Sequence, residues 1–253
     1  MAILSERASV YAGSVLPRRA RNSGPSPKRS RKARFVRVLL RVTAALIAGF
    51  YLLTILGLLA LRRINPPFTA VQAERRIGSW IHRTGYQKRY RFVPLSQISP
   101  DFQHAVIAAE DSRFYQHHGF DWEEVRNAVE EERDDGRLRG ASTITQQLVK
   151  NLFLSTSRSL IRKGIEFTLV PLAEFILGKK RILELYLNIA EWGPGIYGAE
   201  VAAQNYYRVP AAQIGREQGA RLAAILPSPL RRRPARMNEY SSRILERMSK
   251  MGW

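Results

Sequence analysis

Two short stretches of the chain gather the groups that can do chemistry. Gly140 to Asn151 (GASTITQQLVKN) sets hydroxyls, carboxamides and a lysine within twelve residues. Glu110 to Gly119 (EDSRFYQHHG) adds two carboxylates, two histidines and an arginine about thirty residues earlier. A helix that buries so many polar groups must give each a partner, and a solvated helix has no need of this order. A third set, Arg162, Lys163 and Glu166, stands in an otherwise apolar stretch. Arg162 and Glu166 are four apart and share a helical face. Buried ions are costly unless paired, so this set reads either as a structural salt bridge or as part of a site that another polar cluster completes. Glu110 also has two readings: a helix-end acid paired with Arg113, or a reacting carboxylate.

Several familiar catalytic patterns are absent from the sequence. Cysteine is missing, which removes disulfides, thiolate metal ligands and Cys nucleophiles. His117 and His118 are adjacent, so on a helix they point apart, and no HExxH pair exists to bind zinc. There is no G-x-S-x-G, S-x-x-K or K-T-G serine motif and no P-loop. What remains is carboxylate chemistry, with cations placed to hold an anion.

These residues need elements to position them. Ser99-Pro100-Asp101 reads as a helix start: a capping serine, proline at the first position, an acid in the first turn. Phe102, Ala105, Val106 and Ala109 follow at helical spacing, and Glu110 arrives where the helix should end. Asp121 and Glu124 open a helix through about Asp134. Gly136 and Gly140 bracket a basic loop with Arg137 and Arg139, and a further helix begins near Ser142. Ser159 to Leu177 is a helix apolar almost all round, so burial is expected. Pro171 should kink it, at ~3 kcal/mol if uncompensated. Gly178 interrupts, Lys180 to Ala190 is helical again, and Gly193, Gly195 and Gly198 mark a turn. Val201–Tyr207 and Ile214–Ile225 are further helices. Strand-like alternation is nearly absent, so the fold class is mostly α.

The 253 residues leave room for one sizeable domain and an anchor. The net charge of +20 is unevenly placed: residues 1–41 hold eleven Lys/Arg and one acid, half of the excess. Ser, Pro, Gly and Arg dominate residues 12–34, so residues 1–41 read as a disordered, basic cytoplasmic tail. Val42 to Leu61 is twenty uncharged residues; at ~1.5 Å per residue the helix covers roughly 30 Å, enough to cross a hydrocarbon core. The basic excess before it keeps the N-terminus cytoplasmic, and the lack of an A-x-A site near Leu61 favours an uncleaved anchor. The tail runs straight into the span, which argues against a nucleic-acid arm. Residues 62–98, with Pro66, Pro67, Trp80, Tyr86 and Tyr90, read as a juxtamembrane connector, and 99–253 as the catalytic domain. Polar clusters behind a span point to an enzyme whose substrate is held at a membrane.

Five blocks in this order carry a resemblance. They are Glu110-Asp111-Ser112-Arg113-Phe114 through His117 and Gly119; Gly140 to Asn151; Arg162-Lys163-Gly164-Ile165-Glu166; Arg181 to Asn188, continuing through Glu191-Trp192-Gly193 to Tyr197-Gly198; and Leu222 to Pro227. Over about residues 64–250 the chain resembles the biosynthetic peptidoglycan transglycosylases of glycosyltransferase family 51. With no transpeptidase domain following, it resembles the monofunctional members. The resemblance implies a lysozyme-like helical domain behind a single N-terminal transmembrane helix. It implies a bacterial inner-membrane enzyme, its catalytic domain periplasmic, that polymerises lipid II into a nascent glycan strand with inversion and release of undecaprenyl pyrophosphate. Other cell-wall synthesis and division proteins are the implied partners, with no nucleic acid, and a divalent cation (Mg or Mn) the implied helper. Glu110 resembles the general base, and Glu166 the second essential carboxylate, near the leaving group or its metal. Lys150, Arg162 and Lys163 match cationic positions facing the pyrophosphate. Asp111, Phe114, His117, Ser142, Thr143, Gln147 and Asn151 match further substrate-binding positions. Gly178 departs from the family, which often has Ser before its Lys. A lytic muramidase shares the fold and a catalytic acid, but its leaving group is a neutral sugar and needs no such set of cations. An inactive scaffold of wall synthesis is the other alternative, and the presence of both Glu110 and Glu166 speaks against it.

Overall fold

The computed structural model describes residues 27–135, 142–157 and 159–253. The chain divides into an N-terminal unit ending at Phe50 and a second unit from Tyr51 to Trp253. One helix, α1 (Pro27–Leu61), is longer than the sequence suggests. The tail expected to be disordered through residue 41 is helical from Pro27 onward, while residues 1–26 lie outside the described residues. The reason is cooperativity: once the apolar run is helical, each added Lys, Arg, Ala or Leu extends an existing helix at little cost. Residues Arg31–Leu61 are long and apolar enough to cross a membrane. Thr54, Leu58 and Leu61 near its end are buried. Arg181 caps that end, donating from Nε to the Leu61 carbonyl (2.8 Å) and from Nη2 to the Ile64 carbonyl (3.0 Å) and Asn65 Oδ1 (2.9 Å). Carbonyls at a helix C-terminus have no partner within the helix, and an arginine is a natural substitute.

The second unit continues with α2 (Ala70–His82), α3 (Pro100–Glu110), α4 (Trp122–Asp135), α5 (Ile144–Phe153), α6 (Leu160–Ile189), α7 (Ala199–Tyr207), α8 (Arg216–Ala223) and α9 (Asn238–Lys250). Three short strands, β1 (Arg89–Tyr90), β2 (Glu191–Gly193) and β3 (Ile196–Tyr197), form a sheet in the order β1-β3-β2. β1 runs parallel to β3 and pairs Tyr90 with Tyr197, while β2 is antiparallel to β3. The helix α3 is the centre. Phe102, Ala105 and Val106 are fully buried, with Phe102 against Trp192 at 5.2 Å between rings. α8 and α9 pack on α3, and α5 packs on α6.

Residues 62–98 are not a connector but part of this unit. Val93, Leu95 and Ile98 are in the core. The Asn188 side chain binds both the N–H (2.8 Å) and the carbonyl (2.9 Å) of Val93, so one carboxamide imitates a neighbouring strand. Composition hides this, because the pairing groups are backbone on one side and a distant side chain on the other.

Two expectations for α6 are also corrected. The helix is not buried all round: Leu160, Ile161 and Phe175 are 91%, 78% and 90% exposed, while Glu166, Leu169, Val170 and Ala173 face inward. α5 covers one apolar face and leaves the other open. Nor does the non-helical kink fall at Pro171, where the sequence predicts it. The only non-helical backbone lies at Gly178 (φ 72°, ψ 159°), a conformation without cost only for glycine. Pro171 sits on the open side, where a tilted backbone is tolerated.

Candidate active site

Both carboxylate-bearing turns are set by helix ends. Ser99 caps α3, accepting from the Phe102 N–H (3.1 Å) and donating to the Ile214 carbonyl (2.5 Å). Eleven residues later α3 stops at Glu110. Thr143 caps α5 in a reciprocal box with Gln146: Gln146 N–H to Thr143 Oγ1 is 3.2 Å and Thr143 N–H to Gln146 Oε1 is 2.9 Å. Asp111 joins the two ends. Its Oδ2 accepts from the Ile144 N–H (2.9 Å) and its Oδ1 meets His117 Nε2 (2.8 Å). His117 Nδ1 accepts from the Gly119 N–H (3.1 Å), so its proton is on Nε2 and points at Asp111. The Thr143 hydroxyl donates to the Gly119 carbonyl (2.7 Å), closing the loop onto α5. Gly119 has φ 100°, and a Cβ there would lie 2.5 Å from Val170 Cγ1.

This frame places Glu110 beside Gln147. Gln147 Nε2 donates to Glu110 Oε2 at 2.7 Å, and Tyr186 donates its hydroxyl to Gln147 Oε1 at 2.9 Å. Glu110 Oε1 is buried without a hydrogen-bond partner. Burial pushes the Glu110 pKa up, against the lowering effects of the Gln147 hydrogen bond, Lys150 and Arg232. Arg113 goes elsewhere, to Asp121 (3.5 Å) and Glu123, so the reading of Glu110 as its ion partner fails. A cavity of about 500 Å³ opens at Glu110, with Asp111, Ser142, Thr143 and Gln147 in one wall and Tyr240, Arg243 and Arg247 of α9 in another.

The cations form a second cluster, linked to Glu110 through the field of Lys150. Glu166 is 2% exposed. Arg162 binds its Oε2, and Lys163 its Oε1 at 2.5 Å. Arg162 Nε also donates to the Ser157 carbonyl (2.7 Å). Lys150 lies on α5 within the fields of both carboxylates. Burial lowers its pKa most; Glu166 and Glu110 oppose that, and Arg162 and Lys163 reinforce it. The structure therefore brings together an unsatisfied carboxylate oxygen, a cavity, and three cations from two helices.

A model of the transglycosylase family, described as Transglycosylase, matches residues 77–251. The chain belongs to this family. It is 41% identical over 215 residues to the biosynthetic peptidoglycan transglycosylase of Pseudomonas putida, covering 85% of this chain and 89% of that one. It is 45% identical over 203 residues to the Escherichia coli protein of the same description, covering 78% and 84%. The Shigella boydii protein is 43% identical over 225 residues, covering 86% and 91%. The mostly helical, lysozyme-like fold expected from the sequence is the fold of this transglycosylase.

Within the transglycosylase site, several residues matched to substrate binding are committed to the protein. Phe114 is fully buried, with the Lys179 ammonium 4.5 Å from its ring centre, so it is a core residue. Asp111, His117 and Thr143 hold the loop and α5 through the bonds above. Gln147 serves Glu110 and Tyr186. Ser142 is exposed and lines the cavity, whereas Asn151 does not line it. The basic loop with Arg137 and Arg139 lies outside the described residues. Sequence reasoning missed α9 and its arginines; Ile244 and Met248, both buried and four apart, were the available signal.

A divalent cation does not fit these residues. Asp111, His117 and Asp121 are close enough to share an ion. Yet His117 has no free lone pair, Asp111 is bonded at both oxygens, and Asp121 caps α4 by accepting from the Glu124 N–H (3.0 Å). At Glu166 both oxygens meet cations. No step below passes through a metal.

Proposed function

We propose that the protein is a peptidoglycan glycosyltransferase that polymerises lipid II at the periplasmic face of a bacterial inner membrane. The observation that carries this reading is Glu110 Oε1, among the described residues the one buried carboxylate oxygen without a partner, at a cavity and within the field of Lys150. Glu110 Oε1 takes the proton of the acceptor sugar 4-hydroxyl. That oxygen bonds to C1 of the growing chain's terminal sugar, from the face opposite the pyrophosphate. The C1–O bond breaks, its electron pair leaves with undecaprenyl pyrophosphate, and the configuration inverts. A carboxylate whose pKa is raised toward the working pH is a stronger base in its ionised form. Negative charge grows on the departing pyrophosphate, and Lys150, Arg162 and Lys163 are placed to meet it. Glu166 holds Arg162 and Lys163 in place beforehand, so no reorganisation is needed as the charge appears. A glycan-cleaving enzyme, with a neutral leaving group, has no use for these cations.

The anchor fits a lipid-linked substrate. Tyr51 lies ten residues before Leu61, about 15 Å along the helix, and its hydroxyl is 2.6 Å from Thr168 Oγ1 of α6. If α1 spans the bilayer, the open apolar face of α6, with Leu160, Ile161, Phe167 and Phe175, rests against lipid. The basic excess before Val42 directs the N-terminus to the cytoplasm. The decisive experiment gives the purified protein either lipid II or finished glycan. Polymer from the first and no fragments from the second are expected, and Glu110→Gln should abolish polymer while retaining lipid II binding. A Glu110→Gln variant within about tenfold of the parent, a loss under roughly 1.4 kcal/mol, would overturn the assignment of the base.

A further inference from the structure

Gln147 is a carboxamide, and its two ends are nearly the same shape. Turned one way, its NH2 faces Glu110 and its oxygen faces Tyr186; turned by 180°, the oxygen faces Glu110. The first orientation suits an ionised Glu110, because the carboxylate accepts. The second suits only a protonated Glu110, because two acceptors then face each other unless the acid donates. Whatever fixes the amide therefore also fixes which form of the base is favoured.

Tyr186 is 1% exposed and comes from the second half of α6, a different element from either α3 or α5. Its hydroxyl donates to Gln147 Oε1 at 2.9 Å, and Gln147 Nε2 donates to Glu110 Oε2 at 2.7 Å. We propose that Tyr186 is a positioning residue for the general base: with the Ser142 carbonyl, 3.5 Å from Gln147 Nε2, it holds the Gln147 amide with its NH2 toward Glu110, which ties one carboxylate oxygen and leaves Oε1 for the acceptor hydroxyl. The proposal rests on the reading of Glu110 as the base. Without the phenol, a buried amide oxygen lacks its donor, and the Gln147 side chain is held less firmly against Glu110. The other charged groups acting on Glu110 are Asp111 beside it, Lys150 on α5, and Arg232 after α8, and none of them touches the Gln147 oxygen. Arg243 and Arg247 on α9, with Asp121 and Glu124, line the cavity farther out.

The test is Tyr186→Phe, which keeps the ring and its packing. Full-length protein in detergent, with lipid II, should show kcat down roughly tenfold and KM little changed. The acidic limb of its pH–rate profile should move to higher pH, because the protonated form of Glu110 is then favoured. Gln147→Leu should show the same shift, and Tyr186→Phe added to Gln147→Leu should cost nothing more. An unmoved acidic limb, or effects of the two changes that multiply, would overturn the proposal even with kcat reduced. Glu110→Gln keeps this distinct from the underlying reading: if it remains active, the base itself is misassigned, whatever Tyr186 does.

Discussion

Glu166→Gln separates a structural salt bridge from a leaving-group site. Each Glu166 oxygen meets its own cation, Arg162 on one and Lys163 on the other, and the carboxylate is 2% exposed. Removing one member of a fully buried pair costs ~3–5 kcal/mol, because the charge left behind stays desolvated. Here the partners are not fully buried. The Arg162 and Lys163 side chains are 17% and 38% exposed, so water takes over part of what the carboxylate supplied. A stability loss of about 1–2 kcal/mol is expected, between the surface and buried limits. For a domain of about 200 residues that lowers Tm by roughly 2–8 °C. Turnover should fall much further, by about 10²–10³, because Arg162 and Lys163 are no longer held where charge develops. Lys163→Ala, which leaves the buried Glu166 Oε1 without its partner while Oε2 keeps Arg162, should cost a similar amount, about 1–2 kcal/mol, and likewise lose turnover. The measurements are a thermal melt and the rate of lipid II polymerisation per folded molecule, on the same preparations. A Tm drop well beyond about 10 °C with turnover per folded molecule retained would refute the reasoning, since 3–5 kcal/mol at roughly 2–4 °C each is what a purely structural buried pair gives.

Two other outcomes follow from the same structure. Gly119→Ala should destabilise by about 2–4 kcal/mol and lower Tm by roughly 5–15 °C, because φ is 100° and the new Cβ would sit 2.5 Å from Val170 Cγ1; a melt within 2–3 °C of the parent would show that the loop holding His117 adapts freely. A reporter active only in the periplasm, fused after Trp253, should work, and activity confined to cytoplasmic reporters would reverse the topology drawn from the basic excess before Val42.

What the sequence by itself determined were the features written in local order. Ser99 and Thr143 announce helix starts because a cap is a bond to a backbone N–H two or three residues on. Glu110 at the end of α3 follows from the length that such a start and its periodicity allow. The apolar run is visible as composition, and the Arg162, Lys163 and Glu166 set as a spacing of three and four on one helix. Only the tertiary structure decided what depends on distant partners. Whether Glu110 belongs to Arg113 or to Gln147 depends on where α4 and α5 come to rest, and Asp121 and Glu123 take the arginine. Asp111, His117 and Thr143 look like substrate ligands because their chemistry suits sugars and phosphates; their bonds to Ile144 and Gly119 show them to be the frame. Residues 62–98 look like a linker because their partners, Asn188 and β3, are about a hundred residues away. The open face of α6 shows the limit most directly: the apolar residues of the sequence say that the helix avoids water, but only its packing says that α5 covers one side and leaves Leu160, Ile161 and Phe175 outside. Local bonds are encoded by neighbours in sequence, whereas a partner from another element is chosen only when the whole domain closes.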